Sequence, residues 1–568
     1  MKEAQVQTEA PVDYPMYRDD PREPANFGRR DMDYTSGKYI LTNGQSISRM
    51  ESYSSSAVPE EMLDFLKVLK RAVRDQNVGE IHSLYEYGFF EVTDKYYRSR
   101  NLPDEDVVRK LLNCDLDSQC DEIFIALYKD LYYHFLYDRF HHELTIEQRC
   151  ASYMNFMTLF DMLLKSVEPL KLNLPDIWLW EMIDEFIYQF QSFCHFKCNQ
   201  NKITAKDLEE LQAYQTPIWN FYDVVGVLYS MARKPRVEKQ LYALKNQQEY
   251  QPICAEIEYH PMYFKFGYFS LIGLLRLHTL LGEYSQALTI GRNIEFHALG
   301  LYNAVPSCMV SLHYYSGFCH MMMRQYKDAI KLFVDCLLYI QRTRSLTNQT
   351  AWRYDVATKT AEQIYELLAI CLALQPQRID ESIQAELTKA MGEKMTRMQR
   401  GELADFESAF IVGCPKFLVP TLNRTEAGPS SFKEPLLREC RIFLEEVKQQ
   451  KAITILRGYM KLYSTMDMAK LSSFMEKDKE NLVSALLSFK HKMSDQTRTL
   501  TAEEDIPNDI DFYIDMDMIH IADTKVAQRY GEYFIRHVQK LIQLNQNLPK
   551  LSSRSFKARY VEMRDNRK

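Results

Sequence analysis

Glycine is scarce in this chain, at 18 of 568 residues, so few positions could form the glycine-rich loops that hold phosphate groups. Neither the GxxxxGKS/T pattern nor a GxGxxG pattern after a strand occurs. The GxSxG pattern of hydrolases and the HExxH pattern of zinc proteases are also missing. The sequence therefore predicts no enzyme and no bound cofactor.

Long apolar runs are missing as well. No stretch of about eighteen apolar residues occurs, and the opening segment MKEAQVQTEAPVDYPMYRDD lacks the apolar core of a signal peptide. The 12 cysteines show no recurrent paired spacing, which argues against a disulfide framework. These features predict a soluble protein of the cytosol or the nucleus, with no membrane partner.

An excess of positive charge is the third absence. The net charge is −7 and the isoelectric point is about 6.1, which argues against a protein that binds nucleic acid over its whole surface. Any contact with RNA would have to be local. The length is sufficient for several domains or for an extended repeat array with a smaller domain.

The amino-terminal part of the chain divides at Pro59. Residues 1–58 are rich in Asp, Arg, Tyr, Pro, Gly and Ser without periodicity, which predicts disorder. Pro59, followed by Glu60 and Glu61, suits a first helical turn. We predict an N-terminal helical domain at residues 59–250.

One helix of this domain is especially clear, in the segment PDIWLWEMIDEFIYQFQSF. Its apolar residues recur at helical spacing and share one face, at Leu179, Ile183, Phe186, Ile187 and Phe190. Glu181, Asp184 and Gln191 are expected to point away from that face. The pattern predicts an amphipathic helix that packs on the core.

A weak internal repeat follows. LLGEYSQALTI and MMRQYKDAIKL align with Tyr284 over Tyr326 and Ala287 over Ala329, an offset of 42 residues. This offset lies in the range of helical-hairpin repeats, in which small alanines let paired helices approach. We therefore predict TPR-like helical repeats at residues 251–435, ending in a connection rich in proline and glycine.

The segment after this connection predicts a winged helix at residues 436–523. Three helical patterns precede two short apolar alternations, at Phe512 and Ile514 and at Ile519 and Ile521. Three helices followed by a two-strand ribbon is the order of a winged helix. We expect these four residues to form its wing and to take part in its protein contacts.

The charge of this wing argues against nucleic acid. Five aspartates and no Lys or Arg occur from Asp509 to Asp523, a net charge of −5, and the third helix has only Lys490 and Lys492 as uncompensated bases. A winged helix that binds a duplex needs basic residues at both places. We predict a protein-docking wing whose edge accepts a neighbouring strand. The alternative is that the acids only solvate a turn.

The carboxyl-terminal residues predict a long helix and a basic tail. At 1.5 Å per residue, the helix at 524–548 would be about 37 Å long, more than a small domain needs, so it should project and seek another helix. Residues 549–568 have seven basic and two acidic residues, a net charge of +5. The tail is either solvated or a candidate RNA contact through Lys550, Arg554, Lys557 and Arg559.

Three short clusters contain residues that can ligate metals or move protons. Cys194, His195 and Cys198 lie close in sequence, but no second pair occurs at zinc-site spacing, so core cysteines are favoured. His141-His142-Glu143 and Asp184-Glu185 place such groups side by side. Adjacent helical residues point about 100° apart and do not converge on one atom. We predict no metal site and no catalytic site.

A helical-repeat array that ends in a winged helix and a trailing helix resembles the PCI architecture. This architecture is shared by scaffold subunits of the proteasome lid, the COP9 signalosome and translation initiation factor three. The segments GYFSLIGLLRLHTLLGEYSQAL, LLYIQRTRS and DMIHIADTKVAQRYGEYFIR are similar to the subunit L family of eukaryotic translation initiation factor three. The resemblance covers roughly residues 115–548 and thins before them, around residues 421–431 and in the tail.

The resemblance implies a non-catalytic scaffold subunit in the cytoplasm that docks beside the K and E subunits of the same factor. It implies that Phe534, Val538 and Leu541 face a partner helix in an intersubunit bundle. Through the complex, the protein would act on the small ribosomal subunit in recruiting initiator tRNA and mRNA. Two alternatives stay open: a scaffold of another PCI complex, of proteasome-lid or signalosome type, and an RNA-binding adaptor that works through the basic tail.

Overall fold

The computed structural model of the chain describes residues 58–98, 100–114, 118–140, 144–198, 218–294, 296, 300–346, 351–419, 433–497, 511–522, 531 and 533–545. The predicted disordered segment at residues 1–58 lies outside these ranges except at residue 58, and the predicted basic tail at 549–568 lies outside them entirely. The chain divides into two compact units, Met1–Arg441 and Ile442–Lys568.

The first unit is mostly helical in its described residues, in agreement with the predicted fold class. In the described residues, the first ten α-helices are α1 (Glu60–Arg74), α2 (Val78–Ser83), α3 (Phe89–Tyr96), α4 (Glu105–Leu111), α5 (Gln119–Arg139), α6 (Ile146–Lys165), α7 (Asp176–Cys198), α8 (Phe221–Arg233), α9 (Val237–Lys245) and α10 (Ala255–Glu258). The next seven are α11 (Pro261–Leu280), α12 (Tyr284–Gly291), α13 (Pro306–Met322), α14 (Tyr326–Leu346), α15 (Ala351–Leu374), α16 (Glu381–Arg400) and α17 (Leu403–Gly413). As predicted, α1 begins directly after Pro59, with Glu60 and Glu61 in its first turn.

Helix α7 packs against α6 and α11. The five apolar residues of its predicted face are all buried. Asp184 and Gln191, which are predicted to point away from that face, are buried too, so the polar side of α7 is not exposed at these two positions. Their polar atoms are accommodated by Arg276 of α11, whose guanidinium donates to both side chains.

The predicted repeat corresponds to two successive helical hairpins, α11 with α12 and α13 with α14. Tyr284 and Tyr326 are the first residues of the second helix in each hairpin, and Ala287 and Ala329 are both fully buried. The Tyr284 ring lies 5.9 Å from the ring of Phe318 in the next hairpin. The small alanines allow close helix pairing, while the tyrosine fills space between hairpins.

The second unit has the winged-helix order. Helix α18 (Glu434–Leu462) leads into it, and its further elements are β1 (Thr465–Asp467), α19 (Met468–Met475), α20 (Lys479–Thr497), β2 (Asp511–Asp515) and β3 (Met518–Ala522). A last helix, α21, is described at residue 531 and at residues 533–545. The sheet has the order β1-β3-β2, and both pairings are antiparallel.

The sheet has three strands rather than the two that the sequence predicts. Strand β1 pairs Met466 with Ile519, and the Ile521 N–H donates to the Ser464 carbonyl oxygen at 2.9 Å. With three residues, β1 is too short to show an alternation of apolar and polar residues. It forms a strand because its backbone can hydrogen-bond to the otherwise free edge of β3.

Candidate protein-docking surfaces

The wing is held to the winged-helix core by the side chains on one face of its sheet. Phe512 and Ile519 are 3% and 0% exposed, and Ile514 and Ile521 are half-buried against the same core. The four predicted residues therefore form the inner face of the wing. A partner of the wing has to meet its backbone or the side chains of its other face.

The core beneath the wing is formed by residues of every element from α18 to β3. Its other buried members are Leu456, Met460, Met466, Met468, Leu471, Leu482, Leu486 and Phe489. The rings of Phe489 and Phe512 stack with their centroids 5.9 Å apart. Because ten side chains share this core, the wing has a defined position on its three helices.

The outer edge of β2 is occupied at Phe512. The Phe512 carbonyl oxygen accepts a hydrogen bond from Lys490 Nζ at 2.8 Å, and its N–H donates to Asp511 Oδ1 at 2.9 Å. Lys490 Nζ also lies 3.2 Å from that same carboxylate oxygen. A strand that added to this edge would have to displace these contacts, so the edge is protected against pairing at this position.

The second basic residue of the third helix is also used within the unit. Lys492 is buried, and its Nζ lies 2.7 and 2.8 Å from the two carboxylate oxygens of Glu446 on α18. Both lysines therefore have acidic partners within the unit, Lys492 in a buried pair and Lys490 in a pair at the surface. This arrangement supports the prediction that the winged helix does not read a duplex.

The opposite face of the wing is open. Tyr513 lies on it and stacks on His520 of β3, with ring centroids 4.9 Å apart. Met518 and the turn residue Met516 are exposed beside them. Tyr513, Met518 and His520 occupy the alternate positions of the two strands whose other positions predicted the wing, and Met516 lies in the turn between them.

Helix α21 presents the predicted apolar stripe to solvent. Phe534, Val538 and Leu541 are 63%, 53% and 64% exposed. At three- and four-residue spacing they share one side of the helix. Apolar side chains exposed in a row are typical of a surface that another helix covers.

The four candidate RNA contacts of the tail, Lys550, Arg554, Lys557 and Arg559, lie outside the described residues. So does the His141-His142-Glu143 cluster. Their roles stay predictions.

The structure describes the cysteine cluster at the end of α7. Burial raises the pKa of Cys194 far above that of an exposed thiol, and burial raises the pKa of Cys198 to about 11. Both thiols therefore resist forming the thiolate that ligates metals. Over the residues that the structure describes, no three His, Cys, Asp or Glu side chains converge on a metal position. All 12 cysteines are free thiols.

The Asp184-Glu185 pair is divided between two sets of contacts. Asp184 pairs with Arg276, whereas Glu185 accepts a hydrogen bond from Gln189 Nε2 at 2.8 Å and lies 3.7 Å from His134 Nδ1. The two carboxylates thus serve two helix contacts rather than one reacting centre.

Within the described ranges, no helix has both the length and the apolar character of a bilayer span.

Comparison with known proteins extends over nearly the whole chain. A family model described as RNA polymerase I-associated factor PAF67 matches residues 148–541. This range includes the wing and the α21 stripe, and it ends before the basic tail.

Curated relatives cover more. The chain is 46% identical over 520 residues to "Eukaryotic translation initiation factor 3 subunit L" of Caenorhabditis elegans, which covers 89% of this chain and 96% of that protein. It is 45% identical over 520 residues to the protein of the same name from Brugia malayi, with 89% and 94% covered. For the Danio rerio protein of that name, identity is 38% over 568 residues, with 95% and 97% covered.

Proposed function

The chain belongs to the family of eukaryotic translation initiation factor 3 subunit L, and on this basis we propose that it acts as a non-catalytic scaffold of that factor. It is a translation initiation factor subunit, and its helical hairpins and winged helix are architectures that bind proteins. In this proposal it supports assembly of the factor in the cytoplasm. The assembled factor then acts on the small ribosomal subunit in recruiting initiator tRNA and mRNA.

The observation that carries the scaffold role is the exposed stripe of α21. The described side chains of this helix are all exposed, so its apolar residues gain nothing within the described chain. We propose that Phe534, Val538 and Leu541 are buried against helices of neighbouring subunits, with the K and E subunits as the partners. Burial of three such side chains contributes on the order of 5 kcal/mol before the costs of association are subtracted.

The test introduces negative charge at the three apolar positions of the α21 stripe. Phe534→Asp, Val538→Asp and Leu541→Asp are combined in the full-length tagged chain, and the copurified subunits are quantified. We expect recovery of the neighbouring subunits to fall by at least tenfold, since three carboxylates would have to be desolvated at the interface. Thermal unfolding of the isolated chain should not change, because these side chains are already exposed.

A matched control lies on the opposite side of the same helix. Gln539→Asp, Lys540→Gln and Gln543→Asp change the net charge by the same amount and lie away from the stripe. This variant should assemble like the unmodified chain. Full assembly of the stripe variant would show that α21 is not the docking helix.

The acidic wing is a second candidate contact within this proposal. Its net charge of −5 repels nucleic acid, and Lys490 and Lys492 are engaged inside the unit. Both features favour a protein as its partner. We propose that the wing contributes to the position of the subunit within the factor, while α21 supplies most of the buried area.

A further inference from the structure

The outer face of the wing has an apolar centre. Tyr513 and Met518 are 60% and 39% exposed on the side of the sheet opposite to Phe512 and Ile519. Met516, in the turn between the two strands, is 93% exposed. The Tyr513 ring is held in place by stacking on His520. A rigid aromatic ring beside two flexible thioethers is a combination that adapts to an apolar partner surface.

Aspartates surround this centre. Asp467 at the end of β1, Asp511 and Asp515 on β2 and Asp517 in the turn are all exposed. Two of them have ion pairs at the surface, Asp517 with Lys479 at 3.4 Å and Asp511 with Lys490 at 3.2 Å. The face is therefore an apolar patch with an acidic rim, and it complements a partner that is apolar at its centre and basic around it.

Met516 is an unusual residue for the tip of this turn. Its φ is 52°, in the left-handed region that glycine and asparagine enter more readily than methionine. Its side chain is almost fully solvated, so burial within the chain does not compensate for the backbone cost. Burial of this side chain against a partner would compensate for that backbone cost.

The neighbouring edge is less suited to a partner than the face. The backbone groups of Phe512 on the outer edge of β2 are occupied by Lys490 and Asp511. Addition of a strand would break both contacts, whereas docking on the face leaves them intact. The face, rather than the edge, is thus the surface that is ready to bind.

The size of the face suits one helix. Three strands about 4.8 Å apart span about 10 Å, and five residues of a strand extend about 17 Å. A helix is about 10 Å across with its side chains, and three of its turns are about 16 Å long. One short helix would cover the apolar centre and bring its flanking side chains to the rim.

We propose that this face binds a basic amphipathic helix of another subunit of the factor. Apolar residues of that helix contact Tyr513, Met516 and Met518, and its lysines or arginines pair with Asp467, Asp515 and Asp517. The proposal rests on the scaffold function above and assigns the wing a partner of defined chemistry.

The test places a photo-crosslinker on the face. Tyr513→p-benzoylphenylalanine is introduced into the full chain, the factor is purified through a tag on this chain, and the crosslinked peptides are identified by mass spectrometry. We expect peptides of another subunit with apolar residues at helical spacing and flanking lysines or arginines. The same crosslinker at Leu487, an exposed residue of α20, should not capture those peptides.

Two further substitutions separate docking from folding. Asp515→Lys in the crosslinking chain should lower the yield about tenfold, whereas Glu445→Lys, an equal charge change at an exposed site on α18, should leave it unchanged. Met516→Asn should lower the yield several-fold without lowering the thermal stability of the isolated chain, since asparagine tolerates the positive φ.

The proposal would be overturned by crosslinks to RNA, by crosslinks to acidic segments only, or by a yield that Asp515→Lys does not change. A chain that assembles normally but captures nothing at position 513 also refutes it and leaves the scaffold function standing. Failure to copurify any factor subunit would instead refute the scaffold function.

Discussion

At the scale of single residues, the first unit depends on polar side chains buried between helices. Arg276 of α11 pairs with Asp184 and donates to Gln191 Oε1 at 3.1 Å, and its guanidinium lies 5.7 Å from the ring centroid of Tyr315. A buried charge is tolerated only when its partners satisfy it. These contacts connect α7 to the repeats and give the two elements a defined register.

Arg276→Met should destabilise the protein by about 3–5 kcal/mol, because it leaves the Asp184 carboxylate buried without its partner. Urea denaturation measures the loss. Adding Asp184→Leu to Arg276→Met should recover much of it, since both charges are then absent. The control is Arg74→Met, at an exposed side chain, which should lower the free energy of unfolding by less than about 1 kcal/mol. Equal effects at Arg276 and Arg74 would contradict this account.

A second buried cluster lies between α5 and α7. Burial raises the pKa of Asp130 to about 6, although the Trp178 indole donates a hydrogen bond to it at 2.9 Å. Burial also lowers the pKa of His134, but Glu185, through its hydrogen bond and its charge, together with the charge of Glu181, outweighs this effect and raises the pKa to about 9. Asp130 thus resists charging, whereas His134 is held in its charged form.

Asp130 should make stability depend on pH. An unfolded Asp has a pKa of about 3.9, so between about pH 4 and 6 the folded state binds more protons than the unfolded state. The free energy of unfolding therefore falls as pH rises through this window. Asp130→Asn removes the effect, keeps an acceptor for Trp178, and should raise stability at about pH 7.5 by on the order of 2 kcal/mol.

Urea denaturation at about pH 4.5 and about pH 7.5 tests the sign. The difference in the free energy of unfolding between Asp130→Asn and the unmodified chain should be small at the lower pH and large at the higher one. Asp64→Asn, at an exposed position of α1, should show little difference at either pH. A gain for Asp130→Asn that is equal at both pH values would exclude burial of the charge as its cause.

At the scale of elements, the two hairpins share a turn as well as a sequence offset. His278 Nδ1 lies 2.6 Å from Glu283 Oε2 in the first, and His320 Nδ1 lies 2.6 Å from Gln325 Oε1 in the second. In both turns the backbone N–H of the later residue also donates to the carbonyl of the histidine. The repeated turn directs each second helix back along the first.

Glycine has opposite effects on stability in two helices of the first unit. A Cβ at Gly317 of α13 would lie 2.5 Å from the Phe333 ring of α14, whereas a Cβ at Gly226 of α8 would meet nothing within 4 Å. Gly317→Ala should therefore destabilise the protein by about 1–3 kcal/mol through overpacking. Gly226→Ala should stabilise it by about 0.5–1 kcal/mol through helix propensity.

Thermal unfolding of the two glycine variants provides the measurement. Each is the control for the other, since both replace a helical glycine with alanine. A shift of the same sign in both would show that the close approach of α13 and α14 does not restrict position 317.

At the scale of the whole molecule, charge is distributed unevenly along the chain. The wing segment has a net charge of −5 and the tail of +5, in a protein with a net charge of −7. Acidic surfaces favour basic protein partners, whereas a basic tail with aromatic residues could follow RNA phosphates. The scaffold and adaptor functions can therefore be separated by removing the tail.

The full chain, tagged and purified at physiological salt, should copurify with other subunits of initiation factor 3 and sediment with the small ribosomal subunit. Truncation after residue 548 should preserve both results, because the family match ends before the tail. Loss of RNA crosslinking on truncation would support the adaptor function. Recovery of proteasome-lid, signalosome or RNA polymerase I components instead would contradict the proposed complex.

Local patterns in the sequence were sufficient to predict the helical class, the 42-residue hairpin offset and the order of the winged helix. Apolar spacing, Pro59 and the alternation around Phe512 depend only on neighbouring residues, so each can be read without knowing what packs against it. The resemblance to the subunit L family was also contained in the sequence.

Packing between distant parts of the chain determined which polar residues are buried, which edge is occupied and which face is free. The local sequence pattern predicts an exposed Asp184. Its side chain is instead buried against Arg276, which lies 92 positions away in the sequence. Strand β1 exists because β3 pairs with it, and Lys490 protects the edge of β2 because α20 lies beside it. Each of these outcomes depends on contacts between residues distant in sequence, and no local pattern encodes such contacts.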